Sequence, residues 1–191
     1  MARVRGRLVM NAVEYVVQRF GRAAHERVIA ALPKQHWGTF LGPLHEASWE
    51  PAMDAVAYFE TARALLAPGE EAFYRDAGRF AGRIERQVQG YQPMVKDPAT
   101  AIRLGPKVWS SFYDEGRLEA IVISPTEGLA RIFDFRVSPV LCERSCGAWE
   151  GLLSSPELDA STTEVCCIHR AAPHCEIRVM WTPAAPQSVG H

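Results

Sequence analysis

The chain has 191 residues, 48% of them hydrophobic and 23% charged, which suits one globular domain able to bury its own core without disulfide staples. Lys and Arg number 21 against 22 Asp and Glu, a formal net charge of -1, so no overall field draws the chain to nucleic acid or to an anionic membrane surface. No apolar run approaches the roughly 18 residues of a membrane span, and the N-terminus lacks a secretory pattern; a soluble, cytoplasmic chain is expected.

The opening "ARVRGRLV" alternates arginine with apolar residues and reads as the solvated face of a strand or the start of a helix. From Leu8 to Leu32, apolar residues recur at helical spacing, and Gly21 divides the stretch into two helices. Gly38, Gly42 and Pro43 break the region that follows, and Ser48 is placed to cap a helix from Trp49 to Leu66. Another helix is expected just after Gly69, with Phe73, Ala77, Phe80, Ala81 and Ile84 as its apolar stripe. Its Gly78 and Gly82 permit close approach of a neighbouring element, while the surrounding charges exclude a membrane dimer motif.

After Pro98 a further helix ends at Gly116, and the pattern then changes. "RLEAIVIS" and "GLARIFDFRV", separated by "PTEG", predict an antiparallel hairpin. "SPVLCERSCGAWEGLLSS" reads as a helix starting at Ser138 or Pro139, and two last strands, 162–169 and 174–181, enclose "RAAP". The polar, Pro-rich stretch 182–191 reads as a disordered tail. The expected fold is α+β: N-terminal helices packed on an antiparallel sheet made of two β-hairpins with an intervening helix, one domain over 1–181.

All five cysteines, Cys142, Cys146, Cys166, Cys167 and Cys175, fall in the last third. Zinc site, redox pair and inert core are the three readings of such a cluster in a reducing compartment. Zinc needs four ligands in a tetrahedron, usually gathered from separate elements. Cys142 lies at the start of the last helix, where the macrodipole favours a thiolate, and Cys167 and Cys175 flank the hairpin loop. In a regular strand Glu164 shares a face with Cys166 and not with Cys167, so both can bind one metal only if a bulge or the strand end intervenes. Cys146, one helical turn beyond Cys142, is the competing fourth ligand.

The spacings C-x4-G-x3-G at Cys142, Gly147 and Gly151 and E-x2-C-x7-C at Glu164, Cys167 and Cys175 resemble the C-terminal half of the V4R (4-vinyl reductase) domain, above all in aromatic-sensing transcriptional activators. The resemblance is specific over 139–181 only, and it implies a structural zinc on Cys142, Glu164, Cys167 and Cys175. The loop "HRAAPHC" departs from it by lacking the glycine of the usual G-D-x-x-C stretch. Through "GRLV" and "LGPKVWSSFYDEGRLE" the whole chain also resembles a myxobacterial family related to V4R and to haem-nitric-oxide-binding domains. The same superfold includes vesicle-tethering TRAPP subunits, which are protein-interaction modules.

In aromatic-sensing relatives the ligand lies between the last helix and the sheet, near the zinc. That placement implies Cys146 and Thr162 as lining residues, and Trp109, Phe133 and Phe135, among the aromatic residues of helices and strands expected to face each other, complete the expected pocket for a small hydrophobic or aromatic ligand. Haem-binding relatives use a proximal histidine on a helix and a Tyr-x-Ser-x-Arg clamp. The latter is missing here, and haem is not expected. Nucleophile-elbow, phosphate-loop and zincin motifs are also missing. The expectation is a non-enzymatic sensory domain with a structural zinc and an apolar pocket. It would signal through a homodimer or a regulatory protein partner, with the N-terminal helices as the interface that the resemblance implies. The alternative is a TRAPP-like adaptor without a small-molecule ligand.

Overall fold

The computed structural model describes residues 1–87 and 97–183. A short strand β1 (Arg3–Arg5) leads into α1 (Gly6–Phe20) and α2 (Arg22–Ala31), and the break between these helices is Gly21, whose φ of 89° lies where L side chains are disfavoured. Two single-turn 3-10 segments precede β2 (Trp49–Pro51), which pairs antiparallel with β1. Then follow α3 (Ala52–Leu66), α4 (Phe73–Gln87) and α5 (Pro98–Phe112). The hairpin β3 (Arg117–Ser124) and β4 (Glu127–Phe133), the helix α6 (Pro139–Leu153), and the strands β5 (Leu158–Cys166) and β6 (Cys175–Pro183) complete the chain.

The α+β architecture is as expected. The four long strands form one antiparallel sheet in the order β3-β4-β6-β5, so the two hairpins lie side by side with β4 against β6. Helices α5 and α6 cover one face of this sheet, and α4 packs on α6 from the far side. Strand parity shows in the burial: Ala130, Ile132, Ile177 and Val179 point inward, while Ile121, Ile123 and Met180 are exposed on the other face. Asp97 caps α5 through the N–H groups of Ala99 and Thr100, and Ser138 caps α6 through that of Val140.

Several expected boundaries shift: the strand expected over 162–169 runs Leu158–Cys166, and the helix expected to end at Gly116 ends at Phe112. The helix expected from Trp49 starts at Ala52, because Trp49–Pro51 is held by β1, and the Ser48 hydroxyl donates to the His45 carbonyl rather than capping a helix. The helix expected just after Gly69 starts at Phe73. Strand β6 runs to Pro183, and the remainder of the expected tail, 184–191, lies outside the described residues.

Helices α4 and α6 meet backbone to backbone. A Cβ on Gly78 would overlap the carbonyl oxygen of Arg144, and one on Gly82 that of Ala148. Reciprocally, a Cβ on Gly147 or Gly151 would overlap the carbonyl oxygens of Arg75 and Arg79. Backbone meets backbone here, and only glycine leaves the room. The approach delivers Arg75 and Arg79 to Glu150. Arg75 Nη2 lies 2.5 Å from Glu150 Oε1, and Arg79 Nε lies 2.7 Å from Oε2. The Thr162 backbone N–H donates to the same carboxylate at 2.9 Å, tying β5 to both helices.

Gly147→Ala is expected to cost about 1–3 kcal/mol through overpacking, a fall in melting temperature of roughly 2–12 °C for a chain of this size. Gly42→Ala, with nothing within 4 Å, should leave the melt unchanged. Burial alone would raise the Glu150 pKa, but its hydrogen bonds from Arg75, Thr162 and Arg79 outweigh burial and hold it below its ordinary 4.5. A depressed carboxylate contributes stability above its unfolded value and loses it as pH falls through the folded one. Wild type should therefore weaken on acidification below 4.5. Glu150→Gln should start about 2 kcal/mol less stable, with Arg75 left without a carboxylate and Arg79 holding only Asp76, and show a flatter melt-versus-pH curve in that range.

Candidate metal centre and the cavity beside it

Three elements meet at the cysteine cluster. Cys142 is the fourth residue of α6, Cys175 opens β6, Glu164 faces inward from β5, and Cys167 follows the end of β5. Strand β5 carries a bulge between Glu164 and Cys166. The extra residue, Val165, is exposed, Cys166 pairs with the outward Glu176, and Cys167 is turned inward. The bulge thus places Glu164 and Cys167 on one face, which a regular strand forbids.

The ligand atoms of Cys142, Glu164, Cys167 and Cys175 all lie within 4.8 Å of one another. Cys175 Sγ is 3.6 Å from Cys142 Sγ and 3.6 Å from Cys167 Sγ. A tetrahedron with metal–sulfur distances of about 2.3 Å has edges of about 3.8 Å, so these spacings suit one shared ion. All three sulfurs are buried, and Glu164 Oε1 is buried without a hydrogen-bond partner. An orphaned carboxylate oxygen costs free energy unless something binds it. The other carboxylate oxygen accepts from Arg170 Nη2 at 2.5 Å, a contact that orients the group and offsets charge as outer partners of metal ligands do.

The sulfurs are prepared unequally. Cys175 accepts from the Cys142 thiol and from the Ile168 N–H at 3.3 Å, and these bonds outweigh burial to bring its pKa down to about 6. Cys142, the donor in that pair and buried as well, is pushed up. Burial raises Cys167 to about 11, against the hydrogen bond from the His169 N–H. Cys146 stands apart from the four: burial lifts its thiol to about 12, and its neighbours are Glu164, Arg75 and Thr162. Cys166 Sγ donates instead to the His174 carbonyl at 3.4 Å.

A cavity of about 110 Å³ lies beside α6, bounded by α4, α5 and the β3–β4 hairpin. Its apolar wall is Val108, Trp109, Phe112, Leu118, Trp149 and Leu152, and its polar residues are Asn11, Glu85, Arg144 and Ser145. Of the five side chains that sequence reasoning assigned to a pocket, Trp109 alone lines it. Phe135 packs edge-on against Trp109 with ring centres 5.0 Å apart, and Phe133 is sandwiched between Arg117 and His174. Thr162 is committed to Glu150 and Arg75. Sequence reasoning missed Arg144 and Glu150. Both lie on α6, which is buried on nearly every side.

No protein-family model matches the chain, and no curated protein does. Among solved structures, an H-NOX protein from S. oneidensis in the Fe(II)NO ligation state superposes with a TM-score of 0.69 at 14% identity, covering 93% of this chain and 99% of that one. The Fe(II) unliganded H-NOX protein from K. algicida gives 0.68 at 9% identity, covering 97% and 100%. A structure from work on heme distortion in the H-NOX family gives 0.69 at 10%, covering 97% and 100%.

These likenesses correct two expectations. The V4R assignment rests on motifs specific over 139–181, whereas the structural match to H-NOX proteins covers 93–97% of the chain. Haem was set aside for want of one motif, and that ground does not stand when the same fold occurs in Fe(II) proteins. In this chain the fit to haem is poor at the cavity described. A cavity of about 150 Å³ takes a molecule the size of benzene, and this one is smaller. Of the side chains that hold haem iron, His, Cys, Met and Tyr, only Tyr113 lines it, stacked on Trp109 at 4.1 Å. His25 and His36 are bonded instead to Tyr58 and Asp54. No helix among the described residues is long and apolar enough to cross a membrane. At these identities the likeness establishes the fold: the chain is built on the architecture of the H-NOX proteins.

Proposed function

We propose that the chain is a non-enzymatic sensory domain in which a structural zinc fastens the last helix to the last hairpin and a small apolar ligand occupies the cavity beside that helix. The observation that carries the reading is the convergence of Cys142, Glu164, Cys167 and Cys175 within 4.8 Å, with an oxygen of Glu164 otherwise unpartnered. Three thiolates and a carboxylate are a zinc set by softness and number. Four protein ligands close the tetrahedron and leave no position for a reacting water, which supports a structural rather than a catalytic role. The ligand set carries more negative charge than the ion offsets, and Arg170 on Glu164 compensates part of it.

Because α6 bears both Cys142 and the cavity residues Arg144, Ser145, Ala148 and Trp149, ligand occupancy bears on a helix whose two ends are anchored differently. The signal then passes by association, through a homodimer or a regulatory protein partner. The exposed Ile121, Ile123 and Met180 of the outer sheet face offer apolar contact area for it.

Cys167→Ser and Cys175→Ser are each expected to abolish zinc retention and lower the melting temperature by more than about 10 °C, since structural zinc binding is folding free energy. Cys146→Ser should keep one zinc per chain, measured by metal analysis of the purified protein. A metal-free wild type that melts as high as the zinc-loaded one would show that these thiols are packing only.

A further inference from the structure

Arg144 is the one cavity residue whose surroundings do not account for its charge. It is 6% exposed, its Nε is buried without a hydrogen-bond partner, and among the described residues no carboxylate pairs with it. The other acid and amide of the cavity are already engaged: Glu85 accepts from Arg7 at 2.7 Å and from Asn11 at 3.0 Å. Ser145 donates to the Leu141 carbonyl at 2.8 Å. Tyr113 turns its hydroxyl toward Arg144 and Ser145 and is neutral, burial raising its pKa. Across the same cavity Trp109 Nε1 is a second buried donor without a partner.

A cavity walled by indole, phenyl and leucine side chains thus holds one uncompensated cation and two idle N–H donors. An unpaired buried cation is strongly unfavourable, and a molecule bringing an anion with two acceptor oxygens relieves it. We infer that the cavity binds a small monocarboxylate, with the carboxylate on Arg144 and Trp109 and a short aliphatic body against Phe112, Trp149 and Leu152. The cavity volume, below that of a cavity that takes benzene, limits that body to a few carbon atoms. Guanidinium meets carboxylate through paired N–H···O bonds, which selects the anion over a neutral molecule of the same shape. This inference rests on the reading of the cavity as a ligand site.

The test is calorimetry and thermal melting of the purified full chain with sodium propionate, sodium butyrate and neutral butyramide, for wild type, Arg144→Met and Trp109→Phe. One of the two carboxylates should raise the wild-type melting temperature by roughly 5 °C at about a hundredfold excess over its Kd, and butyramide should bind more weakly. Arg144→Met should weaken carboxylate binding at least about tenfold while raising the ligand-free melting temperature, because an unpaired buried charge is removed. A purely structural Arg144 would lower it. Trp109→Phe should weaken carboxylate binding. Butyramide binding as tightly as butyrate, undisturbed by Arg144→Met, overturns the carboxylate assignment and leaves the ligand-site reading standing. No binding of any of the three overturns both, with the zinc content unaffected.

Discussion

The contact on which the rest of the structure depends is the glycine-lined approach of α4 to α6. Gly78, Gly82, Gly147 and Gly151 let two helical backbones touch, and the polar residues between them follow from that approach. Arg75 and Arg79 reach Glu150 only because the helices are this close. Glu150 in turn receives the Thr162 N–H and ties β5 to the pair. A buried helix with several charged residues is expensive unless each is answered. Glu150 is answered within the fold, Cys142 is answered at the cysteine cluster, and Arg144 is left for the cavity.

Helix α6 is therefore the member through which every functional feature is connected. Its first turn supplies a sulfur to the cluster, its middle supplies a cation to the cavity, and its remaining face is locked to α4. The final hairpin supplies the other three ligands, and the bulge in β5 corrects their direction. A metal at this place joins elements that are far apart in sequence, which is what a structural zinc contributes to a small domain. In the proposed account the helix is anchored by coordination at its start and by an ion network nearer its end, with the cavity beside the span between them.

The sequence was most legible where a pattern is local. Gly21 divides α1 from α2, Ser138 caps α6, and the hairpin β3–β4 lies where alternation and "PTEG" place it. The helix from Trp49 was misread because β2 is made by pairing with β1 across more than 40 residues, a contact with no local signature. Strand parity alone demanded a bulge before Glu164 and Cys167 could meet, yet nothing in "STTEVCCIH" marks Val165 as the extra residue. Arg144 carried a usable signal: it lies three residues after Leu141 and four before Ala148, on an inward face. The motifs specific to V4R lie in one hairpin and helix, and the runs at the start and middle of the chain point to a family related to both V4R and haem-nitric-oxide-binding domains, while fold likeness weighs the whole path of the backbone.

The most direct measurement is zinc K-edge X-ray absorption on protein purified without added metal. The account predicts a zinc edge at one ion per chain, with three sulfur neighbours at about 2.3 Å and one oxygen at about 2.0–2.2 Å. A protein without zinc, or a first shell of four sulfurs or of nitrogen and oxygen alone, would contradict it.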